Sequence, residues 1–219
     1  MMSKRYDLIV FDWDGTVMDS TAAIVGSIQA ACRGLGLAVP DDGTARQVIG
    51  LGLDQALRRA VPDIPESKRP DLLALYRHHF MVQSEAIPLY EGARETIEEL
   101  HKAGYLLAVA TGMSRAGLER ALNASGLKKY FRATRTADVA FSKPNPAMLL
   151  ELMKELMVDA GRTLMVGDTT HDLLMAQNAN VDAVAVLHGA HLPEQLQALK
   201  PLALVENFTE LRAWFKANA

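Results

Sequence analysis

The sequence predicts an α/β fold: a parallel sheet with helices on both faces, plus a small all-helical cap domain. Three observations carry that prediction. Short continuous runs of Val, Leu, Ile and Ala alternate with helical patterns, as in sheets buried on both faces. Between Asp19 and Pro88 the strand signals vanish while helical stripes persist. Several of the apolar runs end directly in polar, glycine-bearing signatures, the mark of a ligand edge.

The first strand is Leu8 to Phe11, entered through Tyr6-Asp7 and left through Asp12-Trp13-Asp14-Gly15-Thr16. The insert follows, with apolar stripes Ile24, Ile28, Ala31, Leu35, then Leu53, Ala56, Leu57, Ala60, then Leu72, Leu75, Tyr76, Phe80. Gly34-Leu35-Gly36, Pro40 to Gly43 and Pro62 to Pro65 punctuate it. Strands are expected again at Leu106 to Ala110, Thr163 to Val166 and Ala183 to Leu187. Helices fit between them at Glu91 to Ala103, Ser114 to Ser125, Asn145 to Val158 and Thr170 to Ala179, with Gly104 and Gly126 where C-terminal caps fall. Asn207 to Ala217, with Leu211, Trp214 and Phe215, reads as a packing helix. Residues 1–18 and 88–219 would thus form the α/β core and 19–87 the cap, which hangs over the ligand edge because both its connections leave from there.

Bulk properties bound the function. A chain of 219 residues is long for one compact unit and short for two. Its 49% hydrophobic and 22% charged residues match a globular protein with a sizeable core. A net charge of -3 offers no basic field for nucleic acid or anionic lipid, which favours a small substrate. The single cysteine, Cys32, allows no intramolecular disulfide and reads as a core thiol in a reducing compartment. The apolar run after Lys4-Arg5 stops at Asp12, too short for a signal-peptide core or a membrane span, so a cytoplasmic location is expected.

In a parallel sheet all carboxyl ends lie on one edge, so residues far apart in sequence converge there. Asp12, Asp14, Thr111-Gly112 and Asp168-Thr169-Thr170-His171-Asp172 are placed together on this argument. Two carboxylates one residue apart at a strand exit can divide the labour of nucleophile and proton shuttle. Four gathered acids repel by about 4 kcal/mol per close pair at an effective dielectric of 20, so a cation is expected among them. Oxygen ligands suit Mg²⁺, and the lack of a His/Cys ligand cluster argues against zinc. His171 reads as a solvated loop residue rather than a ligand. Lys143, stiffened by Pro144 just before a helix, supplies an ammonium to offset charge and hold a phosphoryl oxygen. Thr111-Gly112 and Gly15-Thr16 offer hydroxyl and backbone donors that would grip a phosphate from two sides.

The order Asp-x-Asp-Gly-Thr, Thr-Gly, Lys-Pro-x-Pro and Gly-Asp-x-x-x-Asp, with a helical insert after the first motif, resembles the haloacid dehalogenase superfamily in its phosphoglycolate-phosphatase-like branch. The resemblance covers essentially the whole chain and implies a Rossmann-like core. It implies Asp12 as a nucleophile forming an aspartyl phosphate and Asp14 as general acid and then base. It further implies phosphate binding by Gly15, Thr16, Thr111, Gly112 and Lys143, with Lys143 also stabilising charge. Mg²⁺ would be held by Asp12, the backbone carbonyl of Asp14 and Asp168, with Asp172 as ligand or supporting residue. The activity implied is hydrolysis of a small phosphomonoester, phosphoglycolate-like or a sugar or nucleotide phosphate. Asp14 points to phosphate esters, because dehalogenases and phosphonate-cleaving members are expected to lack the second acid. Met113 stands where relatives often carry a lysine, which weakens the case for phosphoglycolate itself.

Two other readings stay open at this level. A sugar-phosphate mutase would need cationic groups to turn the sugar, and Arg46, Arg58 and Arg77 are available, although each fits a solvated helix face. A phospho-accepting signalling module also joins acids, Thr and Lys on a parallel sheet, but without such an insert. Specificity is expected from the insert, around Gly50-Leu51-Gly52.

Overall fold

The computed structural model describes residues 4–84 and 86–219. In chain order it runs β1 (Leu8–Phe11), α1 (Thr21–Gly34), α2 (Asp42–Arg46), α3 (Leu53–Ala60), α4 (Arg69–Ser84), α5 (Ala93–Lys102) and β2 (Leu106–Thr111). It continues α6 (Arg115–Ser125), β3 (Ala133–Thr136), α7 (Ala147–Leu156), β4 (Thr163–Gly167), α8 (Thr170–Asn178), β5 (Asp182–Val186), α9 (Pro193–Ala198), β6 (Ala203–Val205) and α10 (Phe208–Asn218).

The six strands form one parallel sheet in the order β3-β2-β1-β4-β5-β6. The strand order reverses at β1, so the crevice at its carboxyl end is the switch point where such sheets bind ligands. Register brings the exits level, since Phe11 lies beside Val109 on one side and Val166 on the other.

Alternation divides β1 between two cores. Ile9 and Phe11 join Val109, Val166, Ile97, Leu118 and Phe208 on the face covered by α5, α6 and α10. Leu8 and Val10 join Ala108, Met165, Leu149 and Leu173 under α7 and α8. Leu211 and Phe215 of α10 are buried, so this helix packs as its pattern predicts. Two strands escape the sequence reading. β3 is Ala-Thr-Arg-Thr, with Arg135 reaching Glu151 at 2.6 Å and Glu155 at 2.7 Å, and β6 has three residues. Both are sheet edges, where short and half-polar strands protect against unwanted pairing.

Helices α1 to α4 build a third apolar cluster around Ile24, Ile28, Ala31, Val48, Leu57 and Leu72, and Cys32 is buried within it. The chain enters and leaves this helical cap through adjacent strands of backbone. Met18 bridges Leu89 in antiparallel fashion, Asp19 N donates to Pro88 O at 3.0 Å and Tyr90 N to Val17 O at 3.0 Å. Among the described residues, no helix is long and apolar enough to cross a membrane.

Candidate active site

The turn after β1 sets the first two acids on different tasks. Asp12 N still donates to Val166 O at 2.9 Å, and the amides of Val17 and Met18 then close back onto Trp13 O at 2.9 and 3.0 Å. Gly15 has φ +79° and faces Asp168 so closely that a Cβ would overlap that carboxylate. Both facts demand glycine. Asp12 turns into the sheet edge, where its Oδ1 accepts from Trp13 N at 2.7 Å and its Oδ2 is buried without a hydrogen-bond partner. Asp14 turns toward the start of the cap, where its Oδ1 accepts from Ser20 Oγ at 2.7 Å.

Asp12, Asp168 and Asp172 bring carboxylate oxygens within 4.8 Å of one another. All three, and Lys143, have no solvent exposure. Lys143 arrives from the loop between β3 and α7, and its Nζ lies 2.7 Å from both Asp12 Oδ1 and Asp172 Oδ1. Asp168 is held by Thr16 Oγ1 at 2.6 Å and Ala190 N at 2.7 Å. Asp172 spends its other oxygen on the first turn of α8, accepting from Thr169 Oγ1 at 2.6 Å and Thr169 N at 3.1 Å, while Thr169 Oγ1 accepts from Asp172 N at 3.3 Å. This reciprocal capping box adds about 1 kcal/mol to the helix while fixing the acid.

Three carboxylates against one ammonium leave an excess of negative charge in a dry place. Burial, then the charge of Asp172, pushes Asp12 well above the usual carboxylate range although Lys143 pulls it down. The same two causes push Asp168 up to about 7. Burial raises Asp14 too, with Ser20 and Lys143 opposing. For Lys143 burial alone would lower the ammonium; Asp12 and Asp172 reverse that and hold it above its ordinary value. An orphaned buried oxygen, an all-oxygen donor set and uncompensated negative charge fit a hard divalent cation.

A pH test follows from Asp168. Its folded value of about 7 against an ordinary 3.8 means the metal-free fold retains a proton that the unfolded chain has lost, so this group costs stability as pH rises through that window. Burial lowers His171, His188 and His191, which act in the opposite direction. The histidine contribution cancels in the difference between Mg²⁺-loaded and chelated protein. That difference in Tm is expected to grow from pH 5.5 to pH 8, because a cation must displace the proton. A gap independent of pH would refute the site's charge state.

At the exit of β2, Thr111 is buried and its Oγ1 accepts from Met113 N at 3.2 Å. Gly112 does more than expose an amide: a Cβ there would overlap the carbonyl oxygens of Leu51 and Gly50 from the cap. Gly112→Ala is therefore expected to pry the cap from the core and lower kcat/KM by about 10- to 100-fold, since displacement of about 1 Å has such effects. Unchanged kinetics would contradict this contact.

His171 departs from its sequence reading as a solvated residue. It is 7% exposed, and its Nε2 lies 3.0 Å from Gln47 O of the cap, with the neutral imidazole able to donate there. Gly52 N donates to Ser142 Oγ at 2.8 Å and Gln47 Nε2 to Gln195 Oε1 at 3.0 Å, completing a seam between cap and core. The loop after β5 also supports the site, although no motif marks it. Within it His188 Nε2 meets Thr16 O at 3.0 Å, Ala190 N holds Asp168, and His191 Nδ1 accepts from Thr170 N at 3.0 Å. Its signal was available, because it leaves a strand at the same carboxyl edge. Arg46, Arg58 and Arg77 are exposed, and Arg58 pairs with Asp54 at 2.8 Å.

A buried acid trio, an ammonium and a threonine converge at the switch point of a parallel sheet under a helical cap, which marks this edge as the reaction site of a capped α/β fold. Residues 9–186 match the model of the haloacid dehalogenase-like hydrolases. The chain belongs to that family, and it is an enzyme of the family's phosphatase kind. It is 38% identical over 210 residues to the probable phosphatase IndB of Dickeya dadantii, covering 93% of this chain and 91% of that protein. It is 33% identical over 221 residues to a phosphoglycolate phosphatase of Vibrio parahaemolyticus, covering 96% of each. Its fold is shared with the crystal structure of a predicted phosphoglycolate phosphatase from Haemophilus somnus, with a TM-score of 0.87, 24% identity and coverage of 96% and 98%.

Proposed function

We propose that the protein is a Mg²⁺-dependent phosphatase that hydrolyses small phosphomonoesters through an aspartyl phosphate on Asp12. The observation that carries this reading is the buried Asp12 carboxylate, whose Oδ1 meets the Lys143 ammonium at 2.7 Å while its Oδ2 has no partner and keeps its lone pairs uncommitted. Asp12 Oδ2 attacks phosphorus, and the bond from phosphorus to the leaving oxygen breaks. Asp14, oriented by Ser20, gives its proton to that oxygen. The resulting Asp14 carboxylate then takes a proton from water, whose oxygen displaces Asp12 from phosphorus and frees inorganic phosphate. A raised pKa suits Asp14 to both duties.

Thr111 and Lys143 bind and neutralise the phosphoryl oxygens, together with the backbone N–H of Gly112; the amides expected from Gly15 and Thr16 are instead committed within their own turn, to Met18 O at 2.9 Å and Trp13 O at 3.3 Å. Asp12, the backbone carbonyl of Asp14, Asp168 and Asp172 would hold Mg²⁺, which when bound neutralises the carboxylates and polarises the phosphate. Residues 19–87 act as the cap on a core of residues 1–18 and 88–219, excluding water while the phosphoryl group is in transit. The substrate is a small phosphorylated metabolite, and the buried lone cysteine accords with a cytoplasmic enzyme. Phosphate release from a panel of phosphomonoesters, run with Mg²⁺ and with chelator, tests the proposal. Release only with the metal is expected, and no release from any ester would refute it.

A further inference from the structure

The charges sealed into the site restrict what can leave from phosphorus. Among the described residues, Lys143 is the one buried side chain with an ammonium or guanidinium, and its charge already faces Asp12 and Asp172. The cap buries no counter-charge, because every described buried residue of its four helices and their loops is uncharged; the nearest influence is Arg59, an exposed side chain whose charge is felt at His171. Arg46, Arg58, Arg59 and Arg77 are exposed. Arg58 and Arg69 pair instead with the exposed carboxylates of Asp54 and Glu66.

What touches Asp14, the proposed donor to the leaving oxygen, is the neutral hydroxyl of Ser20. Thr21 follows Ser20, the residue that holds Asp14, and is 4% exposed. Its Oγ1 lies near the hydroxyl of Tyr90, which donates to His188 O at 3.0 Å, and no partner meets Oγ1 in good hydrogen-bond geometry. From α4, Tyr76 brings a phenol into the field of Asp14; burial first, and that carboxylate second, keep it protonated. A buried hydroxyl with nothing to bond is costly unless a ligand completes it. A buried carboxylate with no cation to meet it is costlier still.

We propose that the substrates are phosphomonoesters of uncharged alcohols or polyols, recognised through the Thr21 hydroxyl, and that leaving groups bearing a carboxylate are rejected. The proposal rests on the phosphatase reading above. Phosphoglycolate, the compound in the names of several relatives, would bring a second negative group to a site that already holds three buried carboxylates against one buried ammonium.

Two matched pairs test it with the full chain and Mg²⁺: 2-hydroxyethyl phosphate against 2-phosphoglycolate, and glycerol 3-phosphate against 3-phosphoglycerate. In each pair CH₂OH replaces a carboxylate. The hydroxyl member is expected to exceed its partner at least tenfold in kcat/KM or, where turnover is slow, in competition against p-nitrophenyl phosphate. Parity, or preference for the carboxylates, overturns the proposal. Silence toward all four esters and p-nitrophenyl phosphate, in folded protein, sinks the phosphatase reading instead. Thr21→Val, which removes the unpartnered hydroxyl at constant shape, is expected to keep or raise Tm while lowering kcat/KM for the two hydroxyl esters at least fivefold. Unaltered kinetics in that variant would overturn the role given to Thr21.

Discussion

The Asp12→Asn protein is expected to fold and to lose turnover by about four to six orders of magnitude, the scale seen when a covalent nucleophile is removed. An amide in place of the carboxylate keeps the side chain's shape, so its Oδ1 can still accept from Trp13 N. It lacks the electron-rich oxygen proposed to attack phosphorus. Stability moves the other way from activity. Removing Asp12's charge relieves its repulsion with Asp172 and Asp168, which already raises its own pKa. The metal-free variant should therefore melt no lower than the parent. Circular dichroism with a phosphate-release assay would decide the matter, and residual turnover within tenfold of the parent would remove Asp12 from its assigned role.

Lys143→Met carries the largest expected effect on stability. Lys143 is wholly buried between two carboxylates, and deleting one partner of such an arrangement costs about 3–5 kcal/mol because the charges left behind are dry and unopposed. Methionine fills similar volume, so packing loss contributes little. The deficit should be greatest in chelated protein at pH 8. It should shrink at pH 5, where protonation relieves acids whose folded values are already raised, and with Mg²⁺, which restores positive charge. Urea unfolding under the four conditions measures this. A uniform deficit below about 1 kcal/mol would mean the ion contacts do not organise the site.

The buried interior of the sheet was legible because its chemistry is local. Ile9 and Phe11 face one core and Leu8 and Val10 the other, so the run is apolar at every position and cannot be anything but a two-sided strand. β3 and β6 were not legible, because an edge strand owes its place to a neighbour rather than to its own pattern, and Arg135 in mid-strand looks like a loop. Asp12, Asp168 and Asp172 were legible as a set from their strand exits, whereas the Asp14 carboxylate, expected among them, turns to Ser20 instead. The surroundings of Lys143 were not: its spacing from Asp12 and Asp172 says nothing of an ammonium held between them without solvent. His171 was misread for a similar reason, since what buries it is a cap carbonyl 124 residues away in sequence. Gly112 was read for its amide, whereas its missing side chain is equally part of its use.

The paired backbone at the base of the cap has a mechanical meaning. Two rails laced together at Met18–Leu89 and by the Asp19 and Tyr90 amides resist shearing and stretching, so any opening of the cap would have to turn about their common line. The far rim, where Gln47 and Gly52 meet His171 and Ser142, then behaves as the free edge of a door. Lesions at that rim should alter how quickly spent phosphate departs, while lesions at the rails should misalign the door on every closing.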